Sequence, residues 1–380
     1  MSESLISVYI HIPFCLSKCR YCDFYSETNQ SALDKYIEAL DKEWHIIKDQ
    51  KALADIKIRT LYFGGGTPSL LTPSQWKRIG ELFINKSILT ENFECSVECN
   101  PDSFTSELAE CLAGIGVTRL TFGIQSLNDH ELRFLGRRHT AATAYQALNE
   151  SSLEKFRSIG ADLMYGIPGQ TLESFDNSLI RVLGSSNVKH LSAYELTINP
   201  ATPFGRHASI LPLPSEDTVV EMTNLVLNRT KEFGLEQYEI SNYAKSGFSC
   251  RHNEIYWEHE PYIGLGCAAH SYLHPYRWSN VKNVKNYVMK LAVGQLPVES
   301  TEQIDNSTMA REMVFLGLRR VSGINTEVFK EKTGINLLET IGNEKLQRFQ
   351  IRGLVKHSHP YISLTNEGML FADAISREFL

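Results

Sequence analysis

A chain of 380 residues with a formal charge of −6, 42% hydrophobic and 22% charged side chains has the composition of a globular protein, long enough for one large domain and one or two small ones. The acidic balance supplies no general basic field for a nucleic-acid backbone, and no apolar run is long enough to span a bilayer as an integral membrane segment. Met1-Ser-Glu-Ser-Leu-Ile6 lacks the basic-then-apolar pattern of a leader, and eight cysteines are too few for a disulfide framework, so a reducing, cytoplasmic setting is expected.

Six short apolar segments, 7–12, 59–63, 93–98, 119–124, 161–165 and 190–196, read as strands. Helical patterns lie between them at 32–47, 73–83, 106–113, 141–156 and 172–183, with Ser31 and Thr171 as caps of the first and last. Alternation of this kind predicts an α/β fold with a parallel sheet. Six units are too few for an eightfold barrel and fit a partial, TIM-like (β/α)6 barrel, whose reactive groups belong at the carboxyl ends of the strands.

Those ends carry non-repeating chemistry. After the first strand come Cys15, Cys19 and Cys22, spaced C-x3-C-x2-C. Three thiolates on one loop can hold three irons of a [4Fe-4S] cluster and leave the fourth open to a small chelating ligand. A structural zinc with His11 as fourth ligand, or plain buried thiols, are the alternatives. After the second strand runs Tyr62-Phe-Gly-Gly-Gly-Thr-Pro-Ser69, whose glycines permit positive φ and close approach of backbone to a ligand. No Lys-Ser or Lys-Thr follows, so it is not a phosphate loop. On this reading Gly66→Val weakens ligand binding and spares the cluster. The third, fourth and fifth strands end in or carry Glu98-Cys-Asn-Pro101, Gly123-Ile-Gln125 and Asp162.

Past a linker at 202–215 and a helix at 216–233, Arg251-His-Asn-Glu-Ile-Tyr-Trp257 leads through Tyr262-Ile-Gly-Leu-Gly266 to His270. This aromatic segment is either a packed strand and turn or a flat-ligand site with a histidine for iron. Residues 301–380 form a separate module with the cadence of a winged helix, for which the charge favours docking over nucleic-acid reading. The divisions are 1–235 for the barrel core, 236–300 for a segment completing it, and 301–380 for the C-terminal winged-helix-like domain.

The cysteine spacing with the glycine run resembles the radical S-adenosylmethionine (SAM) superfamily. Tyr9-Ile-His-Ile-Pro-Phe-Cys15, Gly64-Gly-Gly-Thr-Pro-Ser69, Arg119-Leu-Thr-Phe-Gly-Ile-Gln-Ser126 and Asp162-Leu-Met-Tyr-Gly-Ile-Pro-Gly-Gln-Thr171 resemble its oxygen-independent coproporphyrinogen III oxidase family over nearly the whole chain. His252-Asn-x-x-Tyr-Trp257 is similar to the signature of the haem-chaperone branch. The resemblance implies a radical SAM barrel in which Cys15, Cys19 and Cys22 bind the cluster. It implies that Gly65, Gly66 and Thr67 meet the methionine moiety, that Tyr9, Phe24, Glu98, Gln125, Arg137 and Asp162 contact S-adenosylmethionine, and that His252 binds haem. The oxidases carry a further cysteine where this chain has Phe24, and a longer arm before the Tyr-Ile-His motif than its eight residues. Both departures point away from propionate decarboxylation, which stays as the alternative, and toward a haem carrier that serves respiratory acceptors, with a homodimer as an open option. No catalytic residue is assigned. A nucleic-acid-modifying radical enzyme is the third reading and wants a basic face that this chain lacks.

Overall fold

The computed structural model describes residues 5–49 and 56–380; the start of the chain, read above as lacking a leader pattern, lies outside them for residues 1–4. Strands β1 (Leu5–Ile12), β2 (Lys57–Gly65), β3 (Ile88–Cys99), β4 (Arg119–Gln125), β5 (Ser158–Tyr165) and β6 (Val188–Glu195) pair in parallel and in chain order. In β1, Ile6, Val8, Ile10 and Ile12 alternate along one face and are almost fully buried, as a sheet covered by helices requires. Helix Leu33–Lys48 covers part of it with a stripe of Leu33, Tyr36, Ile37, Leu40, Trp44 and Ile47, spaced by three and four residues so that one face meets the sheet.

Helix ends depart from expectation in informative ways. Thr171 caps Leu172–Leu183 as expected, accepting from the Ser174 amide, but Ala32, not Ser31, stands at the first helix's N-cap, and no side chain caps it. The stretch 141–156 breaks after Leu148 into a separate turn at Ser151–Lys155. Helix Pro73–Gly80 widens into a π turn at Glu81–Asn85. A further helix, Asp129–Leu135, is capped by Asn128 and stopped by Gly136 at φ 79°, where glycine carries no Cβ penalty. The linker at 202–215 contains two short turns, Pro203–Arg206 and Ala208–Ile210.

Residues after 235 extend both edges of the six strands. β7 (Glu236–Glu239) and β8 (Asn242–Ala244) add antiparallel beside β6, while β9 (Tyr262–Leu265) pairs in parallel with β1. β10 (His270–Leu273), β11 (Tyr276–Asn280) and β12 (Val298–Gln303) continue that edge. Between the two sets, Arg251–Trp257 is a helix, not the strand and turn weighed above. From Asn306 the chain builds its own core around Val314, Phe329, Phe349, Ile362 and Phe379. There β13 (Ile324–Asn325) and β14 (Val355–Ser358) flank β15 (Tyr361–Leu364) in a small antiparallel sheet, with four helices between Asn306 and Ile351. Backbone bonds Ile240 N–H to Arg319 O and Val321 N–H to Tyr238 O tie this module to the barrel edge, with ion pairs Lys332–Glu260 and Arg320–Glu258 beside them.

Candidate functional site

At the carboxyl end of β1 the chain leaves the sheet as the cysteine loop, closed at its base where Glu27 N–H donates to Pro13 O and Cys15 N–H to Glu27 O. The glycine run seats this loop. Gly66 N–H donates to Ile12 O and Thr67 N–H to Phe14 O, both at 2.8 Å. A Cβ on Gly66 would stand 2.7 Å from Ile12 O and from Phe14 O, and one on Gly65, at φ +107°, would meet the His11 ring at 2.3 Å. So the protein's own chain already requires glycine at 65 and 66. Thr67 Oγ1 donates to Cys15 Sγ at 3.5 Å, and Arg137 Nη1 reaches Cys19 Sγ at 3.6 Å.

Cys15, Cys19 and Cys22 are all free and half-buried. No three His, Cys, Asp or Glu side chains among the described residues are gathered as closely as one metal ion requires. His11 cannot complete a zinc site as placed. Its Nε2–H donates to Tyr25 O at 3.0 Å and its Nδ1 accepts from Tyr9 O–H at 3.0 Å, and burial lowers its pKa to about 4, so the ring is neutral and fully engaged. Three thiols flanked by a hydroxyl and a guanidinium fit an anionic iron–sulfur cluster, because hydrogen bonds and a nearby positive charge stabilise the charge that thiolates and cluster carry.

Beside the loop a cavity of about 660 Å³ opens into the sheet, walled by Tyr21, Cys22, Phe24, Tyr62, Glu98 and Tyr194, with Arg119, Thr121, Asp162 and His190 deeper along the strands. Glu98 accepts from Tyr62 O–H at 2.8 Å and Gly65 N–H at 3.1 Å; burial raises its pKa against those two bonds. Burial likewise pushes Asp162 up to about 7, with a bond from Ser192 pulling the other way. Two carboxyls in one cavity, without a direct ion pair, make a place for a cationic group. Arg137 donates to Gly123 O at 2.6 Å and Asn100 Oδ1 at 2.7 Å, so its position is fixed by β4 and the β3 end. Gln125 takes φ 66°, a strained backbone for a non-glycine residue, and its Oε1 accepts from Tyr194 O–H at 2.7 Å. Phe24 stands 63% exposed at the mouth.

Tyr9 and His252 lie behind this wall. Tyr9 stacks on Tyr62 at 6.1 Å, and Tyr62 stacks on His252 at 5.0 Å. Thr60 Oγ1 gives its hydrogen to Ser7 and so accepts from His252 Nδ1–H at 2.8 Å, which leaves His252 Nε2 to accept from Tyr256 O–H at 2.9 Å. The ring is 1% exposed, and burial lowers its pKa to about 3. As placed, His252 has no free lone pair for iron: it props Tyr62 and, through it, Glu98. The segment is a helix packed on β2, with His252 on its inner face. Tyr62, Arg119, His190 and Tyr194 also line the cavity and were not expected there from the sequence. For Arg119 the signal was present as a charged residue opening an otherwise apolar strand.

Comparison with known proteins agrees with this geometry. Residues 9–181 match the radical SAM superfamily and 304–371 the HemN C-terminal domain. Heme chaperone HemW of Bacillus subtilis is 35% identical over 98% of this chain and 99% of its own length. The proteins of the same name from Lactococcus lactis and Escherichia coli are 32% and 30% identical, over 98% and 99% of this chain and 97% and 98% of theirs. Among solved structures, coproporphyrinogen III oxidase HemN of Escherichia coli, a radical SAM enzyme, superposes with a TM-score of 0.85 at 23% identity, covering 99% of this chain and 90% of that one. That likeness establishes the fold.

Proposed function

We propose, since this chain belongs to the HemW family of radical SAM proteins, that it is a haem chaperone: it binds haem and passes it to haem-using acceptor proteins. The observation that carries the reading is end-to-end likeness, at 30–35% identity, to relatives all named heme chaperone. Cys15, Cys19 and Cys22 would hold a [4Fe-4S] cluster, which when bound supplies an electron for reductive cleavage of S-adenosylmethionine. This chain's own residues do the rest. Thr67 and Arg137 donate toward two of the three sulfurs. Glu98, oriented by Tyr62 and the Gly65 amide, offers a carboxylate to the ammonium of S-adenosylmethionine. Asp162 lines the deeper path and Phe24 the mouth, and Gln125 holds the wall residue Tyr194. We infer that the acceptors are respiratory proteins and that the protein works in the cytoplasm; eight free cysteines suit a reducing compartment, and no helix among the described residues is long and apolar enough to cross a membrane.

The test loads anaerobically reconstituted protein with haem, isolates it on a sizing column, and mixes it with an apo-form of a membrane-bound respiratory cytochrome. Haem that co-elutes and then moves to the acceptor supports the reading. Haem that leaves the protein on the column would end it. The elution volume decides whether the working unit is a homodimer.

A further inference from the structure

Arg119 is 2% exposed and carries a fixed charge, yet it makes no ion pair among the described residues. Its Nη1 donates to Ser158 Oγ at 3.1 Å and Phe248 O at 2.9 Å, which holds the guanidinium plane. Its Nε and Nη2 are buried and have no partner. Those two nitrogens form the edge that grips a carboxylate side-on; elsewhere in this molecule Arg229 uses the same edge on Asp176, at 2.7 and 2.8 Å. A buried charge without such a partner is strongly destabilising, so an unused fork calls for an occupant.

Its surroundings are donors too. Tyr238 Oη accepts from Cys250 N–H and gives its hydrogen to His190 Nε2 at 2.8 Å. His190 therefore carries its own hydrogen on Nδ1, which is buried and has no partner. A Cβ on Gly160 would lie 3.1 Å from Thr121 Oγ1 and 3.3 Å from His190 Nδ1, so glycine there leaves room over two polar atoms. Arg119, Thr121 and His190 all line the main cavity. The nearby acids make no ion pair with the fork: Asp162 bonds Ser192, Glu98 bonds Tyr62 and Gly65, and Glu94, whose charge acts on Arg119 from a distance, bonds the His252 amide through Oε1.

We propose that the Arg119 fork, with His190 Nδ1–H and the Thr121 hydroxyl, is a carboxylate-binding subsite on the floor of the cavity that takes one propionate of a porphyrin. The porphyrin identity rests on the haem-chaperone reading; the carboxylate chemistry does not. Arg119 and Thr121 open β4 and His190 stands near the start of β6, whereas the cysteine loop, Glu98 and Gln125 lie at the carboxyl ends of their strands, so the subsite lies away from the end that takes S-adenosylmethionine.

Two acid–ester pairs test it on the cluster-loaded protein. Haem is titrated against haem dimethyl ester by Soret change, and metal-free mesoporphyrin IX against its dimethyl ester by fluorescence. A hydrogen-bonded charged contact gives the acids an advantage on the order of tenfold or more. Arg119→Gln should remove it, Arg119→Lys should leave about twofold or less because the charge stays and the fork goes, and His190→Phe should fall between. S-adenosylmethionine affinity stays unchanged in Arg119→Lys and His190→Phe, which remove no positive charge from beside Asp162. Should Arg119→Gln fail to fold, the lysine and His190 variants carry the test. Equal binding of acid and ester by the parent in both pairs overturns the subsite, as does an acid preference kept intact by Arg119→Lys. Failure to bind either form of haem, with the metal-free preference present and lost in Arg119→Lys, would remove the chaperone reading and keep the subsite.

Discussion

Replacing Gly66 by alanine places a methyl 2.7 Å from Ile12 O, 2.7 Å from Phe14 O and 2.8 Å from Phe14 N. All three are backbone atoms, so no rotamer relieves the contact and the chain must move. Overpacking of this kind costs about 1–3 kcal/mol. The bonds Gly66 N–H to Ile12 O and Thr67 N–H to Phe14 O lengthen or break with it, at about 0.5–1.5 kcal/mol each. The total is about 2–6 kcal/mol, spent where Phe14 leads into Cys15, so the loop's first thiol shifts. Iron and acid-labile sulfide after anaerobic reconstitution should fall well below parent values, with a lower melting temperature. Gly114→Ala, where a Cβ meets nothing within 4 Å, serves as the control and should load normally. A Gly66→Ala protein that keeps its full iron and sulfide and loses only S-adenosylmethionine binding would refute this reasoning and return the glycine to the ligand.

His252→Ala removes two buried hydrogen bonds and a stacked ring, a loss of about 2–5 kcal/mol; chemical denaturation should show it while the haem Soret maximum of the folded fraction stays put, and a shifted maximum would make His252 an iron ligand after all. Asp162, raised to about 7 by burial, is neutral below that pH. Its folded pKa lies above its unfolded one, so its burial penalty is absent below about pH 4 and fully developed above about pH 7. Stability should therefore fall through that window and S-adenosylmethionine affinity should rise toward pH 8. Asp162→Asn should flatten the affinity profile, and an unchanged slope in equilibrium dialysis removes Asp162 from the ligand's surroundings. The triple variant Cys15→Ala, Cys19→Ala, Cys22→Ala should retain little iron or sulfide; about four irons per chain would reassign the cluster to other thiols.

The six parallel strands were legible because each is a short apolar run ahead of a helical pattern, and burial enforces that period. The sites at their ends were legible as residue types in order: three thiols, three glycines, then Glu98, Gln125 and Asp162. What the sequence could not display was which atom each polar group is already bonded to. His252 reads as a free imidazole until the helix Arg251–Trp257 turns it inward against Thr60 and Tyr256. Gly65 reads as a place of close approach, and the structure shows the His11 ring to be what stands against its Cβ side. Arg119 shows the converse. Its motif was visible, but its unused Nε–Nη2 edge depends on Ser158 and Phe248, 39 and 129 residues away in the chain.

A head-to-head assay under anaerobic reduction tests the proposed function most directly, with one sample of reconstituted protein given haem and another given coproporphyrinogen III, S-adenosylmethionine and an electron donor. A haem chaperone retains haem through gel filtration in fixed proportion to the chain and forms no protoporphyrinogen IX. Turnover of coproporphyrinogen III to protoporphyrinogen IX by a protein that does not retain haem would contradict it and make the chain an oxidase.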